Sequence, residues 1–98
     1  MSAYIIGSLI VKDWDWYREY RNVTEPLVAK HGGRYLVKGG NPETVEGSAP
    51  QAHAVVMIEF PDRQSAMNWY NDPEYVLMID LRQKSNVLTE LMLVDSVE

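Results

Sequence analysis

The chain has 98 residues, 46% of them hydrophobic and 23% charged, which suits one domain around a single core and excludes disorder. It has no cysteine, so disulfides, thiolate metal sites, iron–sulfur clusters and cysteine nucleophiles are all excluded. Its net charge of −5 argues against general nucleic-acid binding, and no apolar run reaches the ~20 residues of a membrane helix.

The N-terminal residues lack the basic, then apolar, then small-residue order of a secretory leader, so a cytoplasmic setting is expected. Ala3–Val11 is rich in β-branched residues and reads as the first strand. From Trp14 to His31 the apolar residues fall at helical spacing, with Asp13 placed to cap the start and Gly32-Gly33 to stop the end. At least one of these glycines should take positive φ. Pro26 removes an N–H and crowds the preceding turn. A kink or break between Asn22 and Glu25 is therefore expected, with Thr24 capping the second piece.

Arg34–Lys38 reads as a short second strand, followed by a turn-rich connection over residues 39–51. Ala52–Phe60 is the clearest strand, ended by Pro61. Asp62 can cap a short helix running to Asn71, and Asp72-Pro73 starts another. That helix aligns Tyr75, Met78, Ile79 and Arg82 on one face, and Val87–Val97 closes the chain as the last strand.

The order βαβ-βααβ, with right-handed crossovers, gives an α+β ferredoxin-like sandwich over residues 1–98, a four-stranded antiparallel sheet with helices on one face. Residues 4–6, 9–11 and 54–58 are apolar at both parities. A sheet with one wet face should alternate, so the face without helices needs a cover. A second copy of the same sheet is the simplest one. The expected partner is the chain itself, a two-fold homodimer through sheet faces forming a dimeric α/β barrel.

Specific strings carry a resemblance. Tyr17 to Tyr20, Pro26-Leu27, His31-Gly32-Gly33-Arg34-Tyr35-Leu36, Glu46-Gly47, Glu59-Phe60-Pro61, Ala66, Trp69-Tyr70, Pro73-Glu74-Tyr75 and Arg82 together resemble the bacterial family called domain of unknown function 1330. Asp72 departs from the serine usual there, but aspartate caps a helix equally well. The resemblance implies the dimeric α/β-barrel superfamily. That superfamily includes cofactor-free monooxygenases, isomerases, haem enzymes and proteins without known activity, so fold does not fix function.

Several residues could carry chemistry. Arg82 puts a permanent cation on an apolar stripe. It is either an anion clamp or half of a structural pair with Glu59 or Glu46. Glu59 shares a strand face with His53, Val55 and Met57. It is either a base of raised pKa or the anion for a nearby arginine. Glu46, beside Gly47, is a pocket carboxylate or a solvated loop acid. His31 is a proton shuttle, a haem ligand or a helix C-terminal cap. His31 and His53, 22 residues apart, make no metal motif, and no metal or cofactor is expected. Tyr17, Trp69 and Tyr75 are core residues that could also line a small-molecule pocket. The readings that follow are a cofactor-free isomerase or monooxygenase acting on a small acidic or carbonyl compound, a non-catalytic binding or structural dimer, and a haem-handling protein.

Overall fold

The computed structural model describes residues 1–97. The elements run β1 (Ala3–Ile10), α1 (Tyr17–Lys30), β2 (Arg34–Gly39), β3 (Ala54–Phe60), α2 (Arg63–Tyr70), α3 (Pro73–Lys84) and β4 (Leu88–Asp95). The sheet order is β2-β3-β1-β4 and every pairing is antiparallel. This is the expected ferredoxin-like α+β fold, with the ends of β1, β3 and β4 shortened by one or two residues and β2 extended by one, to Gly39. Among the described residues, no helix is long and apolar enough to cross a membrane.

Strand parity separates two faces. On β1, Ala3, Ile5 and Leu9 are buried, and on β3 so are Ala54, Ile58 and Phe60. They form the core with Leu27 and Val28 of α1, Ala66 and Trp69 of α2, and Tyr75 and Met78 of α3. The opposite parity carries Ile6, Ile10, Val55, Met57, Met92 and Val94. Ile6 is opposite both Met57 and Met92 across the ladders. Met92 is 61% exposed. The Cα extents of 32 × 31 × 16 Å describe one sheet and one helical layer. The doubly apolar strands thus leave an apolar sheet face on the outside of the single chain.

Three local expectations are corrected. Helix α1 runs unbroken through Pro26. Pro26 and Asn22 both lie on the exposed side, so the carbonyl that loses its partner meets water and the helix continues. Thr24, expected as a cap, is buried inside that helix instead. Asp13 does not cap it either. The helix starts after Trp16, while the Asp13 carboxylate accepts from the Asp15 amide at 3.1 Å in a tight preceding turn. The two later caps form as expected. Asp62 accepts from the Ser65 amide at 2.7 Å and Asp72 from the Glu74 amide at 3.0 Å.

The double glycine splits its duties. Gly32 takes φ +81°, the left-handed cap of α1. Gly33 keeps an ordinary φ, but a Cβ there would lie 2.6 Å from Phe60 Cε1 and 2.9 Å from Val28 Cγ1. Gly33 is therefore required for close approach and Gly32 for backbone conformation. Gly7, at the centre of the sheet, is under the same pressure: its Cβ would meet Leu91 Cδ2 at 2.5 Å.

Candidate functional site

A cavity of about 40 Å³ lies between the sheet and the helices. Every element of the fold contributes to its wall, from Ile5 and Leu9 of β1 to Thr89 and Leu91 of β4. Helix α1 supplies Tyr17, Tyr20 and Thr24 along one stripe, because those positions repeat at helical spacing. Helix α2 supplies Trp69, and α3 supplies Tyr75 and Arg82, two turns apart on one face. Strand β2 adds Tyr35 and Lys38.

Arg82 dominates this cavity. It is 4% exposed. Its Nη1 donates to the Tyr20 and Tyr75 hydroxyl oxygens, each at 3.1 Å, and those hydroxyls lie 2.7 Å apart. The guanidinium also sits 5.8 Å from the centre of the Tyr20 ring, within cation–π range. The expected carboxylate partner is absent. Among the described residues, no ion pair includes Arg82. Glu59 cannot reach it because residue 59 has the parity of the outer face, where Arg34 Nε donates to its Oε1 at 2.7 Å. Glu46 lies exposed in the connection between β2 and β3 and is not among the cavity residues.

Two phenol hydrogens serve this cluster, and one is used between Tyr20 and Tyr75. The other remains to donate. Burial above all, with Tyr20 adding to it, raises the Tyr75 phenol well above its ordinary pKa, and burial does the same for Tyr35. Tyr17 is raised too, again first by burial, with Lys38, Glu25 and Arg21 acting on it in turn. These phenols stay protonated and serve as donors rather than bases.

Four buried side-chain polar atoms have no hydrogen-bond partner within the described residues: Thr24 Oγ1, Trp69 Nε1, Arg82 Nε and Thr89 Oγ1. All four belong to residues lining this one cavity. Unpaired buried polar atoms are costly and uncommon. Trp69 Nε1 and Arg82 Nε are donors only, and the threonine hydroxyls can donate or accept. The wall therefore offers mainly donors around an apolar, aromatic interior. Trp69 and Tyr75 stack there at 4.2 Å between centroids.

Of the residues expected from sequence, the fold brings together Tyr17, Trp69, Tyr75 and Arg82. It places Glu46, Glu59 and His31 elsewhere. Of the two readings of Glu59, the anion of a nearby arginine is the one found and the base of raised pKa is not: the bond from Arg34, first among several causes, holds that carboxyl below its usual value. His31 ends α1, where its Nε2 lies 2.8 Å from Asp72 Oδ2. His53 receives the Val11 amide on Nδ1 at 3.0 Å and tethers the end of β1. Tyr20, Thr24, Tyr35, Lys38 and Thr89 join the site without having been singled out for it. A signal did exist for two of them: Tyr20 and Thr24 continue the Tyr17 stripe, so three hydroxyls share one apolar helical face. Among the described residues, no cluster of three or more histidine, aspartate, glutamate or cysteine side chains could hold a metal.

The Asp72 carboxylate ties the ends of α1 and α3 together. It accepts from Lys30 Nζ at 3.1 Å, faces His31 at 2.8 Å and caps the Glu74 amide. The bond to His31, then the Glu74 amide and Lys30, hold its pKa at about 2. A depressed carboxylate stabilises the fold above its ordinary pKa of about 4, and that contribution is lost as pH falls toward 2. Thermal melts should show Asp72→Asn less stable than the parent at pH 7, with the gap closing between pH 4 and pH 2.5. A gap independent of pH would show that the charge contributes nothing.

A protein-family model described as Domain of unknown function (DUF1330) matches residues 2–97. No curated protein matches the chain. Among solved structures, RPA0582 from Rhodopseudomonas palustris, described as a protein of unknown function, superposes with a TM-score of 0.79 at 14% identity, covering 99% of this chain and 83% of its own. SnoaB from Streptomyces nogalater, described as a cofactor-independent oxygenase, gives 0.70 at 11% identity, covering 99% and 94%. A dabb family protein with a ferredoxin-like fold from Mesorhizobium loti gives 0.67 at 10% identity, covering 99% and 98%. At these identities the likeness shows a shared fold.

Proposed function

We propose, for a chain that belongs to the DUF1330 family, that the Arg82 cavity binds a small, mostly apolar compound through an acidic or carbonyl oxygen. One observation carries this reading: a buried guanidinium has two phenols for company, no carboxylate, and an unpaired Nε in the cavity wall. A buried cation without a counter-ion is expensive. An incoming oxyanion would take the free Nε–H and the remaining phenol O–H, satisfying donors that the fold leaves open. The apolar wall would hold the body of the ligand.

Trp16 and Trp69 both line the cavity, so a ligand there should change tryptophan emission. A titration panel of small aromatic and keto acids, with matched amines, tests the reading. Saturable binding of acids and not of amines is expected. Equal binding of both, or binding of neither, would overturn it.

The enzyme reading comes second. Arg82 with the Tyr20–Tyr75 pair is suited to stabilise an enolate oxygen as charge develops. Among the described residues, however, no histidine, aspartate or glutamate lines the cavity, and the raised phenols are poor bases. Exchange of α-hydrogens of a bound keto acid in deuterated water would reveal such an activity. The haem reading through His31 gains no support, since that ring is committed to Asp72. The apolar outer face of the sheet supports a homodimer in which each copy covers the other, leaving one Arg82 cavity per subunit on the helical side.

A further inference from the structure

Among the described residues, two cations line the cavity and no acid does. Arg82 marks the deep end, at 4% exposure. Lys38 marks the outer end, with its side chain 43% exposed. Lys38 is on β2 opposite Val56 of β3. Its ammonium lies 2.7 Å from Glu25 Oε2 on α1 and 5.1 Å from the Tyr35 ring centre. Among the described residues, this is the one side-chain bond between α1 and β2. The seam beside the cavity is therefore fastened by a single half-exposed ion pair, which costs little to break. A space of about 40 Å³ holds roughly three waters. A ring-sized ligand needs this seam to open.

We propose that Lys38 is the outer anchor of the ligand site and Glu25 its latch. The ligand class is an elongated aromatic or apolar acid with oxygens at both ends, one reaching Arg82 and a carboxylate replacing Glu25 on Lys38. This proposal rests on reading the Arg82 cavity as a ligand site. One carboxylate exchanges for another, so Lys38 keeps a counter-ion throughout. An amine or a neutral amide offers no such exchange, and Glu25 keeps the seam shut against it. Selectivity for charge would then come from the outer end and affinity for oxygen from the inner end. The neighbouring charges agree: Lys38, Glu25 and Arg21 all act on the Tyr17 phenol beside them.

The test uses 4-hydroxybenzoate and 4-hydroxybenzamide, titrated into the full chain and followed by calorimetry and tryptophan emission. The parent should bind the acid about two- to fivefold more tightly than the amide, the size of one half-exposed ion pair. Lys38→Met should abolish the acid preference, because the acid loses its anchor and the amide no longer has to break the Lys38–Glu25 pair. Glu25→Gln should tighten the acid several-fold, because Lys38 loses its competitor. Both positions are at the surface, so melting curves close to the parent's are expected. An acid preference that survives in Lys38→Met would overturn the latch and leave the Arg82 site standing. Failure of both probes to bind the parent would overturn the ligand site and the latch together.

Discussion

Ile6→Lys is expected to run at the single-chain mass at micromolar concentration, where the proposed face-to-face pair predicts a parent of about twice the 11.2 kDa chain mass. Ile6 lies at the centre of the outer sheet face, flanked by Met57 and Met92, and the helical layer cannot cover it. In a two-fold pair each substitution occurs twice. Each copy loses a buried isoleucine and buries an unpaired ammonium. The combined cost is roughly 4–6 kcal/mol, about a thousandfold or more in dissociation constant. Leu77→Lys is the control. Leu77 is 65% exposed, close to Met92 at 61%, but it lies on α3 rather than on the sheet. It should leave the mass unchanged. Light scattering on the three proteins decides the matter. A parent already running at the single-chain mass would refute the face-to-face pair, as would an Ile6→Lys protein that keeps the parent's mass.

The same pattern explains what could be read from sequence. Strand parity is a period-two signal, and in β1 and β3 it was apolar twice over, so both the helix-covered face and the open face were legible. Gly32-Gly33 and Asp72-Pro73 marked helix limits, and Pro61 the end of β3. Pro26 misled because the cost of a proline depends on where the freed carbonyl points. That direction depends on which side of α1 is buried, a tertiary fact. Arg82 was legible as an inward cation on an apolar stripe, but its partner was not. Finding the partner requires knowing that Glu59 takes the outer parity while Tyr20, 62 residues before Arg82 in the chain, comes to the same point. That the Thr24 and Thr89 hydroxyls lack a partner was illegible for the same reason. A buried hydroxyl shows its lack of a partner only once the packing around it is fixed.

Arg82→Met carries the sharpest contrast between structure and function. A guanidinium paired with a buried acid would, on removal, strand that acid and cost about 3–5 kcal/mol of stability. Here no acid is stranded. Tyr20 and Tyr75 already bond each other at 2.7 Å, so each phenol keeps a partner when the arginine goes. Methionine replaces the apolar stem with a side chain of adaptable shape, and a buried charge is removed. Stability should therefore change by no more than about 1–2 kcal/mol, in either direction. Ligand binding should respond very differently. A hydrogen bond from the charged guanidinium to a ligand oxygen contributes about 1.5–3 kcal/mol, so affinity for an acid such as 4-hydroxybenzoate should fall roughly 10- to 150-fold. Arg82→Lys keeps the charge and loses the planar fork, so it should fall between the two. Denaturant melts and titrations on the same samples separate the readings. A large loss of stability with unchanged affinity would make Arg82 a structural residue and remove the basis for a ligand site. A stable fold that no longer holds an acid is what a buried, counter-ion-free arginine predicts.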